Sequence, residues 1–141
     1  MSNIVLCAVD LGQSDKSENV LRKAGKLADL HGADLSVITV IPDFGMSLVG
    51  TFFDKDTLKN ALQKANDDLH SLVKEALPNT GDVQHIVALG TAYEEVLKAA
   101  KKIEANLIVI GASKPDLVDK ILGPNAARVA RHASASVYIV R

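Results

Sequence analysis

The sequence is poor in the residues that mark secreted, membrane-spanning and disulfide-bonded proteins. It has one cysteine, Cys7, which cannot form an intrachain disulfide and is therefore typical of a reducing compartment. Cys7 stands in the apolar run Ile4–Val9, where a buried, unreactive thiol is favoured over a nucleophile. That run is short and follows no basic segment, so we expect no signal peptide. No apolar stretch approaches the roughly 20 residues that cross a bilayer, and we expect a cytoplasmic protein without a membrane partner.

Strong charge and standard nucleotide motifs are also missing. The net charge is −1, which excludes a broad basic surface for nucleic acid. The chain has no G-x-x-x-x-G-K-S/T loop and no G-x-G-x-x-G turn, so neither P-loop nor dinucleotide-fold chemistry is indicated. The four histidines are scattered without zinc-ligand spacing or an evident nucleophile partner. We expect no catalytic residue and no metal ligand.

The sequence instead contains short apolar runs that alternate with helix-period segments. This pattern predicts a single α/β domain over residues 1–141, an open parallel sheet with helices on both faces. The predicted strands are Ile4–Val9, Leu35–Ile41, Val83–Leu89, Leu107–Ile110 and Val137–Val140. The first predicted helix has Ser14 or Asp15 as its N-cap and ends at Gly32. The other predicted helices are Lys55–Leu77, Tyr93–Ile103 and Asn125–His132. Loops are expected from Pro42 to Asp54 and from Ala112 to Pro124, the latter with one helical turn around Leu117–Ile121.

Two of the predicted strands end in residues suited to a ligand. Strand one ends at Asp10, whose carboxylate could accept hydrogen bonds from ribose hydroxyls or an exocyclic amine. Strand four ends at Gly111, and Gly123 precedes the last helix, whose N-terminus favours an anion. If the two strands are neighbours, these groups face each other across a crevice where ligands bind in such sheets.

The segment between the two glycines has the chemistry of a phosphate cradle. Ser113 and Asn125 can donate hydrogen bonds, Lys114 adds a positive charge, and Gly111 and Gly123 allow close approach to the backbone. A purely structural interpretation stays open at this point, because isolated glycines are weak signals. In it the glycines serve tight turns, Lys114 is solvated and Asn125 caps the helix.

Three stretches carry a resemblance to a known family. They are Ile4–Asp10, Leu35–Pro42 and above all Leu107–Arg141, and with the order of elements they make the chain resemble the universal stress protein family, short bacterial type, over essentially its whole length. The resemblance implies a five-stranded sheet in the order 3-2-1-4-5, of the Rossmann-like adenine nucleotide alpha hydrolase-like class. It implies an ATP, ADP or AMP ligand, with or without Mg²⁺, and a homodimer joined through Val137–Val140. The nucleotide-binding residues it implies are Ala8, Val9, Asp10, Val40, Gly111, Ala112, Ser113, Lys114, Gly123, Pro124 and Asn125.

The phosphate segment departs from the family pattern. Gly111 matches the first glycine of that pattern and Gly123 the last, but Lys114 replaces the middle one and the loop is one residue shorter. Pro124 stands where a serine or threonine is usual, which removes both a hydroxyl and a backbone N–H.

Three functions are compatible with this sequence. The first is a nucleotide-binding regulatory protein of the stress response, and the second is a family member that binds no nucleotide and acts as a protein-interaction module. The third is an enzyme, at most a slow ATPase.

Overall fold

The computed structural model describes residues 3–42, 55–112 and 122–141. The strands are β1 (Ile4–Val9), β2 (Asp34–Pro42), β3 (Val83–Gly90), β4 (Leu107–Gly111) and β5 (Ser136–Val140). The helices are α1 (Ser14–His31), α2 (Lys55–Ala76), α3 (Ala92–Ile103) and α4 (Pro124–His132), and a 3₁₀ turn, Leu11–Gln13, leads into α1. The predicted strands and helices are therefore confirmed to within a residue or two. The predicted loop over 43–54 and the helical turn at 117–121 lie outside the described residues.

All five strands pair in parallel in the order β3-β2-β1-β4-β5, as the family resemblance implies. The chain winds outward from β1 to β2 and β3, then returns to the other side of β1 for β4 and β5. The strand order thus reverses between β1 and β4. In such sheets a crevice opens at this point, beyond the carboxyl ends of the strands.

Two apolar clusters cover the two faces of the sheet. On one face, Cys7 of β1 and Val109 of β4 pack against residues of α1 and α2, such as Leu21 and Leu69. On the other face, the alternate strand residues pack against α3 and α4. The alternation follows from the two-residue period of a strand, and it places a helix layer on each side of the crevice. Among the described helices, none is long and apolar enough to span a membrane.

The start of α1 differs from the prediction, and its end agrees with it. Neither Ser14 nor Asp15 caps the helix, because α1 already begins at Ser14 and Gln13, at the N-cap position, makes no side-chain cap hydrogen bond. The chain turns one step earlier, in the 3₁₀ turn that Asp10 caps. At the other end, Gly32 adopts the left-handed conformation at φ 60°, where glycine is favoured, and closes α1 as predicted.

Candidate functional site

A cavity of about 570 Å³ opens at the carboxyl edge of the sheet, where β1 and β4 lie side by side. Every predicted site residue that the structure describes lines it: Ala8, Val9, Asp10, Val40, Gly111, Ala112, Gly123, Pro124 and Asn125. Ser113 and Lys114 lie outside the described residues. The sheet order therefore brings together residues from both sides of the switch point.

The backbone of Asp10 is held by a side chain of α1. The buried Ser17 hydroxyl donates to the Asp10 carbonyl at 2.8 Å and accepts from the Asp10 N–H at 3.0 Å. One residue earlier, the Thr39 hydroxyl of β2 donates to the Val9 carbonyl at 3.1 Å. These bonds attach the end of β1 to α1 and to β2, so the position of Asp10 is defined before any ligand arrives.

The Asp10 carboxylate is the N-cap of the 3₁₀ turn. Its Oδ1 accepts from the Gly12 N–H at 2.9 Å, and its Oδ2 accepts from Nε2 of Gln13 at 3.2 Å. The carboxylate is exposed, and each of its oxygens has a further lone pair. Asp10 is thus oriented by its own turn and still able to accept from a hydroxyl or an amine in the cavity.

The opposite wall is built by backbone hydrogen bonds at the end of β4. Ala112 donates to the Val140 carbonyl at 2.8 Å, and Gly123 donates to the Ala112 carbonyl at 2.7 Å. These two bonds attach the residue after β4 to the end of β5 and to the start of α4. They place the N-terminus of α4 at the cavity.

Among the described residues, no side chain caps the first turn of α4. Gly123 occupies the N-cap position, so the alternative that Asn125 caps this helix is wrong; Asn125 is the second helical residue. Pro124, the first, has no N–H, whereas Asn125 and Ala126 carry N–H groups for which an α-helix has no internal acceptor. Asn125 and Ala126 both line the cavity. The helix end thus has donors and a positive dipole end suited to an anion.

Gly111, at the end of β4, lies beside α1. A Cβ atom added to it would stand 3.4 Å from Cγ2 of Val20 on α1, an ordinary contact, and its φ is not in the positive range. Neither packing nor backbone conformation therefore requires glycine at this position, and its lack of a side chain matters chiefly for the approach of a ligand to the backbone.

One wall of the cavity is apolar. Ile38 and Val40 of β2, Ile110 of β4 and Val96 of α3 line it together, and Tyr93 of α3 adds an aromatic ring. Sequence reasoning named Val40 alone among these. All of them belong to the α3–α4 cluster. Ile38 is fully buried and Val96 and Ile110 nearly so, which leaves the half-buried Val40 and Tyr93 as the residues against which a planar apolar group would be desolvated.

Sequence reasoning also missed polar residues that follow the strand ends. Gln13, Lys16 and Asn19 of the 3₁₀ turn and α1 line the cavity, as does Arg141 after β5. Their signal was available, because the turn after a strand and the first turns of the next helix lie beside that strand's carboxyl end. Lys16 is a cation on the β1 side, where only an acid was expected.

The thiol and the histidines of the described residues lie elsewhere. Cys7 is fully buried, and burial raises the pKa of its thiol far above the ordinary range, which agrees with an unreactive group. His70 of α2 stacks on His85 of β3 with 3.6 Å between ring centroids. Neither ring lines the cavity.

Comparison with known proteins agrees with this architecture. The model of the universal stress protein family matches residues 1–141. Universal stress protein G of Shigella flexneri is 28% identical over an alignment of 143 positions that covers 100% of each chain. A crystal structure of a universal stress protein in complex with cAMP superposes with a TM-score of 0.72 at 20% identity, covering 99% of this chain and 97% of the other.

A second solved structure comes from Archaeoglobus fulgidus. It is a universal stress protein in complex with dAMP, with a TM-score of 0.65, 20% identity and coverage of 100% of this chain and 98% of the other. These structural similarities show the fold, and the match to the family model shows the family. The chain belongs to the universal stress protein family.

Proposed function

We propose that the cavity between β1 and β4 binds an adenine nucleotide (ATP, ADP or AMP) and that the protein is a cytoplasmic, regulatory homodimer of the stress response. The observation that carries the proposal is the meeting, in one cavity, of an oriented carboxylate, an apolar wall and the N-terminus of α4. These three features match the three parts of a nucleotide: an acceptor for the ribose hydroxyls, an apolar surface for the base and an anion site for the phosphates. The cAMP and dAMP complexes of fold neighbours support the same ligand class.

The adenosine half is supported by the β1 and β2 side of the cavity. The Asp10 carboxylate has free lone pairs for ribose hydroxyls, and Ala8 and Val40 lie beside it on the sheet edge. Because Ser17 and the 3₁₀ turn already hold Asp10, little conformational entropy is lost when a ligand binds there.

The phosphate half is supported by the N-terminus of α4. The N–H groups of Asn125 and Ala126 and the Asn125 side chain can donate to phosphate oxygens, and Lys16 adds a positive charge to the lining. Among the described lining residues Asp10 is the one carboxylate, which is too few for a protein-held Mg²⁺ site. A magnesium ion would therefore be held chiefly by the phosphates themselves.

The alternative is a family member that binds no nucleotide and acts as a protein-interaction module. Pro124, which removes a donor from the first turn of α4, is the observation that favours it. We favour nucleotide binding because the Asp10 carboxylate, the apolar wall and the N–H groups of Asn125 and Ala126 still line one cavity without that donor. Slow ATP hydrolysis is the most activity we propose for this site.

The decisive experiment is nucleotide analysis followed by calorimetry. The purified protein is denatured and its supernatant is run on anion-exchange chromatography, and the emptied, refolded protein is titrated with ATP, ADP and AMP. Asp10→Asn keeps an oxygen for the Gly12 N–H but removes the charge. Asp15→Asn is the matched control, because Asp15 lies in the first turn of α1 and does not line the cavity.

We expect a bound adenine nucleotide and an affinity that Asp10→Asn lowers about ten- to 100-fold, since a hydrogen bond to a charged group contributes roughly 1.5–3 kcal/mol. Asp15→Asn should bind like the wild type. An empty protein that neither binds nor gains thermal stability with millimolar ATP, ADP or AMP would favour the interaction module instead.

The proposed homodimer is supported by the free edge of β5. Ser136 donates to the Asn106 carbonyl, and the Val140 carbonyl accepts from Ala112, so these residues direct their backbone groups toward the β4 side. By the alternation of a strand, the N–H and C=O groups of Val137 and Ile139 point away from it. In the described sheet β5 is an edge strand, and such an edge can pair with a second copy.

Val137→Pro tests this pairing, because proline removes an outward N–H and leaves the bonds to β4 in place. Val137→Ala is the control, since it loses comparable packing but keeps the N–H. Light scattering after size exclusion should show a dimer for the wild type and Val137→Ala, and a monomer for Val137→Pro. A folded Val137→Pro dimer would contradict pairing through β5.

A further inference from the structure

Tyr93, in the first turn of α3, is the aromatic residue among the described lining of the cavity. We infer that its ring is the contact surface for the purine base of the nucleotide and thereby sets the preference for an aromatic ligand over a bare sugar phosphate. The inference rests on the proposed function and adds a specificity residue to it. Neither the strand-end pattern nor the family resemblance pointed to this residue.

The ring is held in place from two directions. Cζ of Arg128, on α4, lies 4.9 Å from the centroid of the Tyr93 ring, a cation–π distance. The Tyr93 hydroxyl donates to a carboxylate oxygen of Glu94 at 3.2 Å. The ring is half-buried and packs against the α3–α4 cluster. An aromatic side chain restrained in this way loses little freedom when a ligand packs against it.

The ring and the anion site at the start of α4 line the same cavity. Arg128 lies four residues after Pro124, so the same short helix provides the N-terminal donors and the cation that restrains the ring. Val40, which is half-buried, adds apolar surface in the same cavity. A base against this surface and a phosphate at the start of α4 are the two ends of one molecule.

The competing interpretation is that Tyr93 only fills space between α3 and α4. In that case removal of the ring would lower stability but would not discriminate between ligands. Aromatic stacking, in contrast, acts on the base and leaves a ligand without a base untouched. The test therefore compares ligands as well as variants.

The first measurement uses the intrinsic fluorescence of the ring. The chain has two tyrosines and no tryptophan, and the other tyrosine, Tyr138, lies exposed on β5 and does not line the cavity. The Tyr138→Phe variant therefore emits from Tyr93 alone. Titration with AMP should quench this emission along a saturable curve with the Kd that calorimetry reports. Tyr93→Leu, which emits from Tyr138 alone, is the control for absorption of light by the nucleotide.

The second measurement compares affinities. Tyr93→Leu should bind AMP about ten- to 100-fold more weakly than the wild type, the range expected for loss of one stacked base. Tyr93→Phe keeps the ring and should bind within about two-fold of the wild type. Ribose 5-phosphate, which has no base, should bind all three proteins equally.

The outcomes separate the inference from the function it rests on. If calorimetry detects AMP binding to Tyr138→Phe without quenching, or if Tyr93→Leu binds AMP as tightly as the wild type, the role of Tyr93 is wrong while nucleotide binding stands. If the wild type binds no adenine nucleotide, both fail. Since Tyr138→Phe is a conservative change, the fluorescence test does not depend on Tyr93→Leu folding.

Discussion

The two sides of the cavity differ in how far their own polar groups are already satisfied. On the β1 side, Asp10 is hydrogen-bonded through its N–H, its carbonyl and both carboxylate oxygens, all to Ser17 or to its own turn. On the β4 side, two backbone bonds position the start of α4, but no side chain in the described part of the chain caps its first turn, which begins with Pro124.

This difference separates orientation from binding strength. A group that is already hydrogen-bonded is oriented before the ligand arrives and contributes geometry, whereas the first N–H groups of a helix have no acceptor within the helix and favour an anion. We therefore expect the β1 side to select the ligand and the β4 side to set how strongly its phosphates are held. Each of the following changes tests one side against the other.

Removal of the Ser17 hydroxyl should have the largest effect. Ser17→Ala leaves the Asp10 N–H without its partner, while the carbonyl keeps the bond from the Gln13 N–H. An orphaned backbone donor costs about 1–3 kcal/mol, and urea unfolding should show a loss of that size. Ser14→Ala, at the exposed start of α1, is the control and should stay within about 0.5 kcal/mol. Equal losses in the two variants would mean that the β1 side is not held as described.

Restoring a hydrogen-bond donor to the β4 side should strengthen ATP binding, by a smaller free energy than the stability that Ser17→Ala loses. Pro124→Ser adds an N–H and a hydroxyl at the first position of α4, and ATP affinity should rise about two- to ten-fold, the value of one added hydrogen bond of about 0.5–1.5 kcal/mol. Adenosine, without phosphates, should bind as before. The control is Pro78→Ser, since Pro78 follows α2 outside the cavity. If calorimetry finds the same gain in affinity for adenosine, the proposed division of roles between the β1 and β4 sides is wrong.

The smallest effect should come from a region away from both sides, the stacked pair His70 and His85. Burial and then the charge of His70 lower the pKa of His85, against a backbone hydrogen bond at Val83 that raises it. Folded His85 therefore takes up a proton less readily than the unfolded chain, and the free energy of unfolding should fall as the pH drops below about 6.5. Urea unfolding across that range should show a shallower fall for His85→Gln.

The same variant tests whether the pair is independent of the cavity. Adenosine has no phosphate to titrate near neutral pH, so its affinity isolates the protein's contribution. Because neither histidine lines the cavity, His85→Gln should bind adenosine as the wild type does. A change in adenosine affinity would link the α2–β3 side of the molecule to the site.

Much of this architecture could be predicted because it depends on local sequence. Apolar runs such as Ile4–Val9 become strands, and Gly32 ends α1 because glycine adopts the left-handed conformation without strain. The start of α1 was less predictable. Asp15 and Glu18 have the spacing of a capping box, yet Asp10 caps a 3₁₀ turn before the helix and Glu18 pairs with Arg22 at 3.2 Å. Local signals compete there, and the packing of Ser17 against the end of β1 decides between them.

The sequence alone thus determined where the strands end, and with them Asp10, Gly111 and Gly123 as candidates for one site. Only the tertiary structure decided what else surrounds that site. Tyr93 and Val96 reach the cavity because helix α3 packs on its face of the sheet with a particular rotation, which no spacing along the chain encodes. Tertiary packing also decides that a Cβ atom at Gly111 would face Val20 of α1. Strand ends are a local property of the chain, whereas the surroundings of a crevice depend on strand order and helix packing.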